Sequence, residues 1–129
     1  MIVADASATV TLLLAQPGFE RIAKWFSRKG PIHVPEILYL EVVHVLRRRL
    51  RKGELDPALA TQAFENLVLL PAVRHSHHPY LPRIWMLRDN LTAYDAAYVA
   101  LAEALKAPLL TCDLKLAAAP GHNAMIEVV

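Results

Sequence analysis

The sequence has little cysteine: Cys112 is the single one among 129 residues. One cysteine cannot form a disulfide within the chain, and it leaves no second thiolate for a zinc site of the C-x-x-C type. This scarcity excludes a disulfide-stabilised fold and fits a reducing compartment. We therefore expect a cytoplasmic location.

Long hydrophobic runs and a basic leader are also missing. The amino-terminal stretch MIVADASATVTLLLAQP is apolar in part, but it contains Asp5 and no basic residue, and no run is long enough to span a bilayer. The four glycines and nine prolines are scattered, so neither a linker nor a repeat is visible. We expect a soluble, unprocessed protein without a membrane partner, folded as a single domain over residues 1–129.

Strong charge of either sign is absent as well. The formal net charge is +2 and the isoelectric point is about 8.9. Both values are far from the basic extreme of proteins that bind nucleic acids by charge alone. The composition therefore neither requires nor excludes RNA or DNA as a partner.

Short apolar segments alternate with longer helical patterns along the chain. Strands are predicted at residues 1–4, 32–34, 69–73, 109–110 and 125–128. Helices are predicted at residues 7–16, 20–28, 35–51, 57–67, 80–88 and 91–103, the third beginning at Pro35. This alternation is typical of an α/β domain whose parallel sheet is covered by helices on both faces.

Three aspartates occupy positions near the carboxyl ends of the predicted strands. Asp5 directly follows the first strand, and Asp113 follows the strand LLTC in the same way. Asp95 lies at the start of a helix whose preceding loop comes from the same edge of the sheet. Because ligands of such sheets bind beyond the carboxyl ends of the strands, we expect these three carboxylates to meet there.

Glu41 is a fourth acid in an unusual place, within the helical segment EILYLEVVHVL. Ile37, Leu38 and Val45 share its face of the helix, so the carboxylate lies on an apolar stripe. Glutamate is seldom fully buried without a partner, because desolvation of the charge costs several kcal/mol. A bound cation would offset that cost.

Each acid also has an ordinary structural interpretation. Asp5 and Asp113 could cap the helices that follow them, and Thr92-x-x-Asp95 matches a capping box with Asp in place of the usual Glu or Gln. Glu41 could extend its carboxylate to solvent. One shared site explains all four acids at once, whereas the structural interpretation needs a separate reason for each.

Carboxylates are hard oxygen ligands, which suit Mg²⁺ or Mn²⁺ better than zinc or copper. Four carboxylates without a metal would repel one another and raise some of their pKa values. A metal held in this way can activate water and offset the charge that develops when a phosphodiester is cleaved. The residues therefore indicate hydrolysis of a nucleic-acid strand.

Three stretches together resemble a known family. They are IVADASATVTLLL with Asp5 and Ser7, VPEILYLEVVHVLRR with Glu41, and LTAYDAAYVALAEALKAPLLTCD with Asp95 and the pair Thr111-x-Asp113. These stretches resemble the PIN-domain ribonucleases, in particular the VapC toxins of prokaryotic toxin–antitoxin pairs. The resemblance runs nearly from end to end, and its third stretch is the most specific.

The resemblance implies a three-layer α/β/α sandwich with a short, mainly parallel sheet, and a Mg²⁺- or Mn²⁺-dependent endoribonuclease. It also implies a homodimer and neutralisation by a small cognate antitoxin. Asp5, Glu41, Asp95 and Asp113 correspond to the acidic catalytic and metal site of the family, and no acid of the four is missing. Two hydroxyl residues, Ser7 and Thr111, correspond to groups that support the site.

A dense basic run, residues 47–52, ends the Glu41 helix. Such a run is usually a solvated face that complements the carboxyl terminus of the helix. Its cations could instead hold RNA phosphates, in which case binding would weaken with salt. The sequence leaves both interpretations open.

The histidines and several aromatic residues receive structural interpretations. The stretch RHSHHPY contains His75, His77 and His78 but no partner ligands at a second defined spacing, so a polar loop is predicted instead of a metal site. His44 is predicted to be a surface residue. Five side chains are predicted to pack in the core: Trp25, Phe26, Tyr39, Phe64 and Cys112.

Three other functions compete with a ribonuclease. A signalling receiver domain needs an aspartate after its central strand, and the segment PAVRHS supplies none. A phosphatase of the D-x-D type is excluded because the chain has Ser7 two residues after Asp5. A non-catalytic PIN-like module that binds RNA or protein is the alternative, although such modules usually have replaced acids.

Overall fold

A five-stranded parallel sheet lies at the centre of the protein, which is seen here in a computed structural model that describes residues 1–28 and 30–129. The described strands are β1 (Ile2–Ala4), β2 (Ile32–Pro35), β3 (Ala72–His75), β4 (Leu109–Thr111) and β5 (Ile126–Val128). The described helices are α1 (Ala6–Leu13), α2 (Phe19–Arg28), α3 (Ile37–Arg51), α4 (Pro57–Val68), α5 (Leu81–Met86), α6 (Ala93–Leu105) and α7 (Leu114–Ala118). None of these helices is long and apolar enough to cross a membrane.

The order of the strands places a crevice next to β1. The sheet runs β3-β2-β1-β4-β5, and every neighbouring pair is parallel. The chain therefore builds outward from β1 through β2 to β3, and then returns to place β4 on the other side of β1. Connections leave β1 and β4 in opposite directions, which opens a crevice at the carboxyl ends of these two strands.

Helices cover both faces of the sheet. Every residue of β1 and of β4 is buried, although successive side chains of a strand point to opposite faces. Helix α1 packs against α2, α3 and α4, whereas α6 packs against α5, β1 and β2. The buried apolar residues form one cluster around the sheet. The predicted α/β fold with three layers is confirmed.

Polar residues at the carboxyl edge start three of the helices. Asp5 caps α1 by accepting a hydrogen bond from the Ala8 N–H, and Thr92 caps α6 by accepting one from the Asp95 N–H. Asp113 caps α7. An oxygen at such a position satisfies an amide that has no partner within the helix. The capping interpretation of Asp5 and Asp113 is therefore correct, and Thr92 and Asp95 occupy the cap and first-turn positions of the predicted capping box.

Two predicted boundaries near β2 and β3 are wrong. Pro35 is the last residue of β2, not the first of α3, because the pairing with β3 continues until the Glu36 N–H donates to the His75 carbonyl. The third strand is not at residues 69–73. Leu69 ends helix α4 with its side chain 77% exposed, and β3 begins at Ala72. Hydrophobicity was misleading here because β3 is an exposed edge strand.

Two further predictions need correction, and one helix was missed. The helix predicted at residues 80–88 is a 3₁₀ turn, His78–Tyr80, followed by the shorter α5. Helix α7 was not predicted at all, because its five residues are too few to show a period. Phe64 is 47% exposed and not in the core, whereas Trp25 and Phe26 do pack against it.

Candidate active site

Asp5 lies at the bottom of the crevice, 6% exposed, at the carboxyl end of β1. Its Oδ1 accepts hydrogen bonds from the Ser7 hydroxyl (2.7 Å) and the Ala8 N–H (2.9 Å), and its Oδ2 accepts one from the Thr111 hydroxyl. Burial raises the pKa of Asp5, the charge of Asp95 adds to this rise, and the three hydrogen bonds oppose it. A carboxylate accepts about four hydrogen bonds, so one direction is left for another partner.

The hydroxyls of Ser7 and Thr111 join the ends of β1 and β4. Thr111 donates to Asp5 and accepts from the Asp113 N–H (2.9 Å). Ser7 also donates to Asp5, and it accepts from the Cys112 N–H (2.8 Å). The two hydroxyl oxygens are 3.3 Å apart. These bonds fix the orientation of the Asp5 carboxylate.

Glu41 reaches the crevice from helix α3 and is held there by a tyrosine. The hydroxyl of Tyr98, a side chain 1% exposed on α6, donates to Glu41 Oε1 at 2.6 Å. Burial raises the pKa of Glu41, the charges of Asp95 and Asp5 add to the rise, and the hydrogen bond from Tyr98 opposes it. Burial together with the neighbouring Glu41 raises the pKa of Tyr98 strongly, so this hydroxyl remains a proton donor.

Asp95 and Asp113 complete the acidic edge. Asp95 lies in the first turn of α6, and Asp113 caps α7 by accepting from the N–H groups of Lys115 (2.8 Å) and Leu116 (3.4 Å). Burial raises the pKa of Asp95, the charge of Asp113 adds to the rise, and a hydrogen bond with Thr92 opposes it. Asp113 therefore influences the site through Asp95.

The structure brings the four predicted acids into one electrostatic neighbourhood. Charge repulsion couples the following pairs: Asp5 with Asp95, Glu41 with Asp95, Glu41 with Asp5, and Asp95 with Asp113. We call these four residues the acidic cluster. Repulsion inside a partly buried cluster disfavours full ionisation, and a cation would relieve it.

Among residues 1–28 and 30–129, no cationic side chain forms an ion pair with the acidic cluster. Within the described part of the chain the one ion pair joins Arg83 and Glu103 (2.9 Å), away from the cluster. The cluster therefore combines hard oxygen donors with uncompensated negative charge, which fits Mg²⁺ or Mn²⁺. No three His, Cys, Asp or Glu side chains among the described residues already form a metal-holding set, so an ion would have to draw the carboxylates inward.

The basic run lies at the far end of α3 from the acidic cluster. Helix α3 starts at the carboxyl edge of the sheet, and Arg47 follows Glu41 by six residues, or about 9 Å along the helix axis. Arg51 is a further turn away. This geometry favours the solvated-face interpretation over a groove that holds the RNA beside the site.

The histidine-rich stretch is more ordered than the predicted loop. His75 belongs to β3, and its Nε2 lies 2.8 Å from Nδ1 of His33 on β2. His77 Nε2 accepts a hydrogen bond from the Ile37 N–H at the start of α3 (3.1 Å). His44 is exposed, as predicted.

Tyr98 is the site residue that the sequence analysis missed. It follows Asp95 by three residues, so it shares a face of α6 with that acid. A tyrosine in such an apolar helix is predicted to pack in the core, and the Tyr98 side chain is indeed buried. The signal that was available is the spacing from Asp95, because a buried tyrosine hydroxyl needs a partner.

A parallel sheet with carboxylates at its switch point defines a class of α/β proteins whose chemistry lies at the carboxyl edge. Sequence and structure comparisons identify the family within this class. The family model described as PIN domain matches residues 2–121. Ribonuclease VapC12 of Mycobacterium tuberculosis is 39% identical over 129 residues, which cover 100% of this chain and 99% of that protein.

Two solved structures share the fold. One is PAE2754 from Pyrobaculum aerophilum, with a TM-score of 0.75 and 23% identity over 98% of this chain and 83% of the other. The other is VapBC2 from Rickettsia felis bound to a DNA fragment from their promoter, with a TM-score of 0.67 and 14% identity over 99% of this chain and 98% of the other. The chain belongs to the PIN domain family and, within it, to the VapC ribonucleases.

Proposed function

We propose that the protein is an endoribonuclease that hydrolyses RNA phosphodiester bonds with Mg²⁺ or Mn²⁺ held by Asp5, Glu41, Asp95 and Asp113. The acidic cluster supports the proposal: its carboxylates are coupled, partly buried and unpaired with any described cation of the chain. Repulsion and desolvation of these carboxylates destabilise the metal-free fold, and a bound divalent cation would offset that cost.

Hydroxyl groups of the chain position the carboxylates that would hold the metal. The Ser7 and Thr111 hydroxyls hold Asp5 with one acceptor direction left, and Tyr98 holds Glu41 by a single oxygen. When bound, the ion supplies positive charge against the phosphate and lowers the pKa of water. Because burial and repulsion raise the pKa values of Asp5, Glu41 and Asp95, protons compete with the ion, and activity should fall toward acidic pH.

The biological setting is part of the same proposal. The fold neighbour VapBC2 is named as a pair of proteins, and membership of the VapC ribonucleases supports a toxin that a small antitoxin protein neutralises. We propose a cytoplasmic location, where RNA is available. A homodimer stays a prediction, which sedimentation of the purified protein would test.

A single domain is proposed for residues 1–129. One sheet contains all five described strands, and one cluster of buried apolar residues surrounds it. Unfolding in a single cooperative transition, followed by both fluorescence and circular dichroism, would support this assignment. Two separate transitions would contradict it.

Cleavage of RNA tests the activity. Single-stranded and structured RNAs are incubated with the purified protein and Mn²⁺ or Mg²⁺, beside EDTA and the variant Asp95→Asn, which keeps the size of the side chain and removes its charge. We expect cleavage that requires the metal and that the variant lacks while remaining folded. Equal cleavage by both proteins would assign the activity to a contaminant.

A non-catalytic binding module is the second candidate, and one observation favours it. No described set of three potential ligands already encloses a metal position. A protein that binds RNA equally well in Mn²⁺ and in EDTA, and cuts none, would be such a module. Metal-dependent cleavage would exclude it.

A further inference from the structure

Helix α3, which carries Glu41, begins without a capping side chain of its own. Glu36 occupies the cap position with helical backbone angles (φ −58°, ψ −27°), and its side chain makes no capping hydrogen bond. The first amides of a helix have no partner inside the helix, so side chains, other backbone groups or water must satisfy them. The N–H groups of Glu36 and Ile37 therefore need acceptors from outside α3.

Residues 75–77, at the end of β3 and just beyond it, supply both acceptors. The Glu36 N–H donates to the His75 carbonyl at 3.0 Å, and the Ile37 N–H donates to His77 Nε2 at 3.1 Å. His77 is 40 residues beyond Ile37 in the chain, so we call these two acceptors the external cap of α3. The imidazole nitrogen takes the role that a serine or aspartate oxygen has at most helix starts.

The external cap is itself held in place on the sheet. Strand β3 pairs with β2 over four residues, the last pair being Pro35 and His75. Nδ1 of His33 and Nε2 of His75 are 2.8 Å apart, so one ring donates a hydrogen bond to the other. Tyr80 adds an edge-on contact to the His75 ring, with centroids 6.5 Å apart and planes at 72°. His77 therefore extends from a backbone that strand pairing and side-chain contacts fix relative to β2.

The start of α3 determines where Glu41 lies. Glu41 follows Ile37 by four residues, so the two side chains lie one turn apart on the same face of α3. In an α-helix the N–H of residue 41 bonds to the carbonyl of residue 37, which transmits a displacement of the first turn to the second. Helix ends fray when nothing holds them. Tyr98 holds the Glu41 carboxylate, whereas the external cap holds the helical turn from which that side chain extends.

We propose that His77 is a positioning residue of the metal site: by accepting from the Ile37 N–H it fixes the first turn of α3, and thereby sets how far Glu41 reaches into the acidic cluster. The inference rests on the proposed ribonuclease function, in which Glu41 is a metal ligand. It gives a histidine of the stretch RHSHHPY the role of a hydrogen-bond acceptor and not that of a metal ligand. His77 acts through the helix and needs no contact with the metal or with RNA.

Three substitutions of His77 separate its acceptor nitrogen from its volume. His77→Phe keeps a ring and removes the acceptor, and His77→Gln places a side-chain oxygen close to the position of Nε2. His77→Asn is shorter by one methylene group, so its oxygen replaces Nδ1 and misses the Ile37 N–H. We expect His77→Phe and His77→Asn to bind Mn²⁺ about 10-fold more weakly than the wild type and to lose kcat at subsaturating Mn²⁺, with an unchanged KM for RNA. His77→Gln should bind and cleave as the wild type does.

Two control variants separate positioning from a loss of stability. Glu65→Gly lies on the exposed face of α4, where a glycine destabilises the helix without touching the start of α3. His78→Ala removes the neighbouring, exposed histidine. Both variants should keep the wild-type Mn²⁺ affinity and kcat, although Glu65→Gly lowers the melting temperature. If Glu65→Gly loses as much affinity as His77→Phe at a similar melting temperature, general destabilisation explains the loss and the inference is overturned.

Hydrogen exchange of the Ile37 amide measures the external cap in the metal-free protein. We expect this amide to exchange faster in His77→Phe and His77→Asn than in the wild type and His77→Gln. Unchanged exchange in His77→Phe overturns the inference. Wild-type Mn²⁺ affinity and kcat in His77→Phe, or a loss of affinity that His77→Gln shares, also overturns it while the ribonuclease function stands. A wild type that neither binds Mn²⁺ nor cuts RNA overturns both.

Discussion

The hydroxyl of Tyr98 donates a hydrogen bond of 2.6 Å to Glu41, and this bond joins helix α6 to helix α3 across the acidic edge. Both helices begin at the carboxyl edge of the sheet, and each contributes one acid to the cluster. The bond therefore fixes the distance between α3 and α6 at the acidic cluster. It also satisfies a tyrosine hydroxyl that would otherwise be buried alone.

Removing this hydroxyl should weaken the site without unfolding the protein. In Tyr98→Phe the ring still fills the core, but Glu41 loses its donor. Groups that orient metal ligands typically contribute 10- to 100-fold to affinity or activity, so we expect a loss of about that size in Mn²⁺-dependent cleavage. Tyr39→Phe, at a half-buried tyrosine of α3, is the control. The same Mn²⁺ dependence in Tyr98→Phe and the control would contradict the role.

Thr111 should matter through its hydroxyl and not through its volume. Thr111→Val removes the donor to Asp5 and the acceptor for the Asp113 N–H while keeping the shape of a buried side chain. We expect a roughly 10- to 100-fold loss of cleavage and a lower free energy of unfolding. Thr111→Ser retains the hydroxyl and should restore most of the activity. If Thr111→Ser does not restore cleavage, the loss in Thr111→Val comes from altered packing and not from the missing hydrogen bonds.

Divalent metal should stabilise the fold. A ligand that binds only the folded protein adds RT ln(1 + [L]/Kd) to the free energy of unfolding, about 2.7 kcal/mol at one hundred times Kd. We therefore expect millimolar Mn²⁺ or Mg²⁺ to raise Tm in the wild type and to raise it much less in Asp95→Asn. A melting temperature that neither ion changes in the wild type would count against a metal at the acidic cluster.

The raised pKa of Asp95 gives the metal-free protein a defined pH dependence. Burial and the charge of Asp113 raise this pKa above the unfolded value, so the folded state binds the proton more tightly. The free energy of unfolding therefore decreases as pH rises through the folded pKa of Asp95. Asp95→Asn lacks this loss, and its stability relative to the wild type should improve from pH 4 to pH 8.

Urea denaturation in EDTA across that range measures the difference between the two proteins. Asp89→Asn, at an exposed acid, is the control and should follow the wild type at every pH. A difference between Asp95→Asn and the wild type that stays constant with pH would mean that Asp95 ionises as easily in the folded state as in the unfolded one.

The sequence predicted the fold well where the residues are buried. The strands β1 and β4 are fully buried, Asp5 follows β1 directly and Asp113 lies two residues beyond β4, and both strands were located from their apolar residues. The edge strand β3 was misplaced because none of its four residues is fully buried, while the more apolar Leu69 and Leu70 precede it. Pairing with β2, and not hydrophobicity, determines where β3 begins.

The site was predicted less completely than the fold. All four acids were chosen from their positions after strands and on an apolar helical face, and the structure brings them together. Tyr98 was not found, because its role depends on the approach of α3 to α6, a long-range contact that no local pattern encodes.

Calorimetric titration with Mn²⁺ tests the central claim, that four separate acids form one metal centre. It compares the wild type with Asp5→Asn, Glu41→Gln, Asp95→Asn and Asp113→Asn, and with Asp89→Asn as the exposed control. We expect each of the four variants to weaken or abolish binding that the wild type and the control share. Wild-type affinity in two or more of the four variants, or no binding by the wild type, would contradict a shared centre.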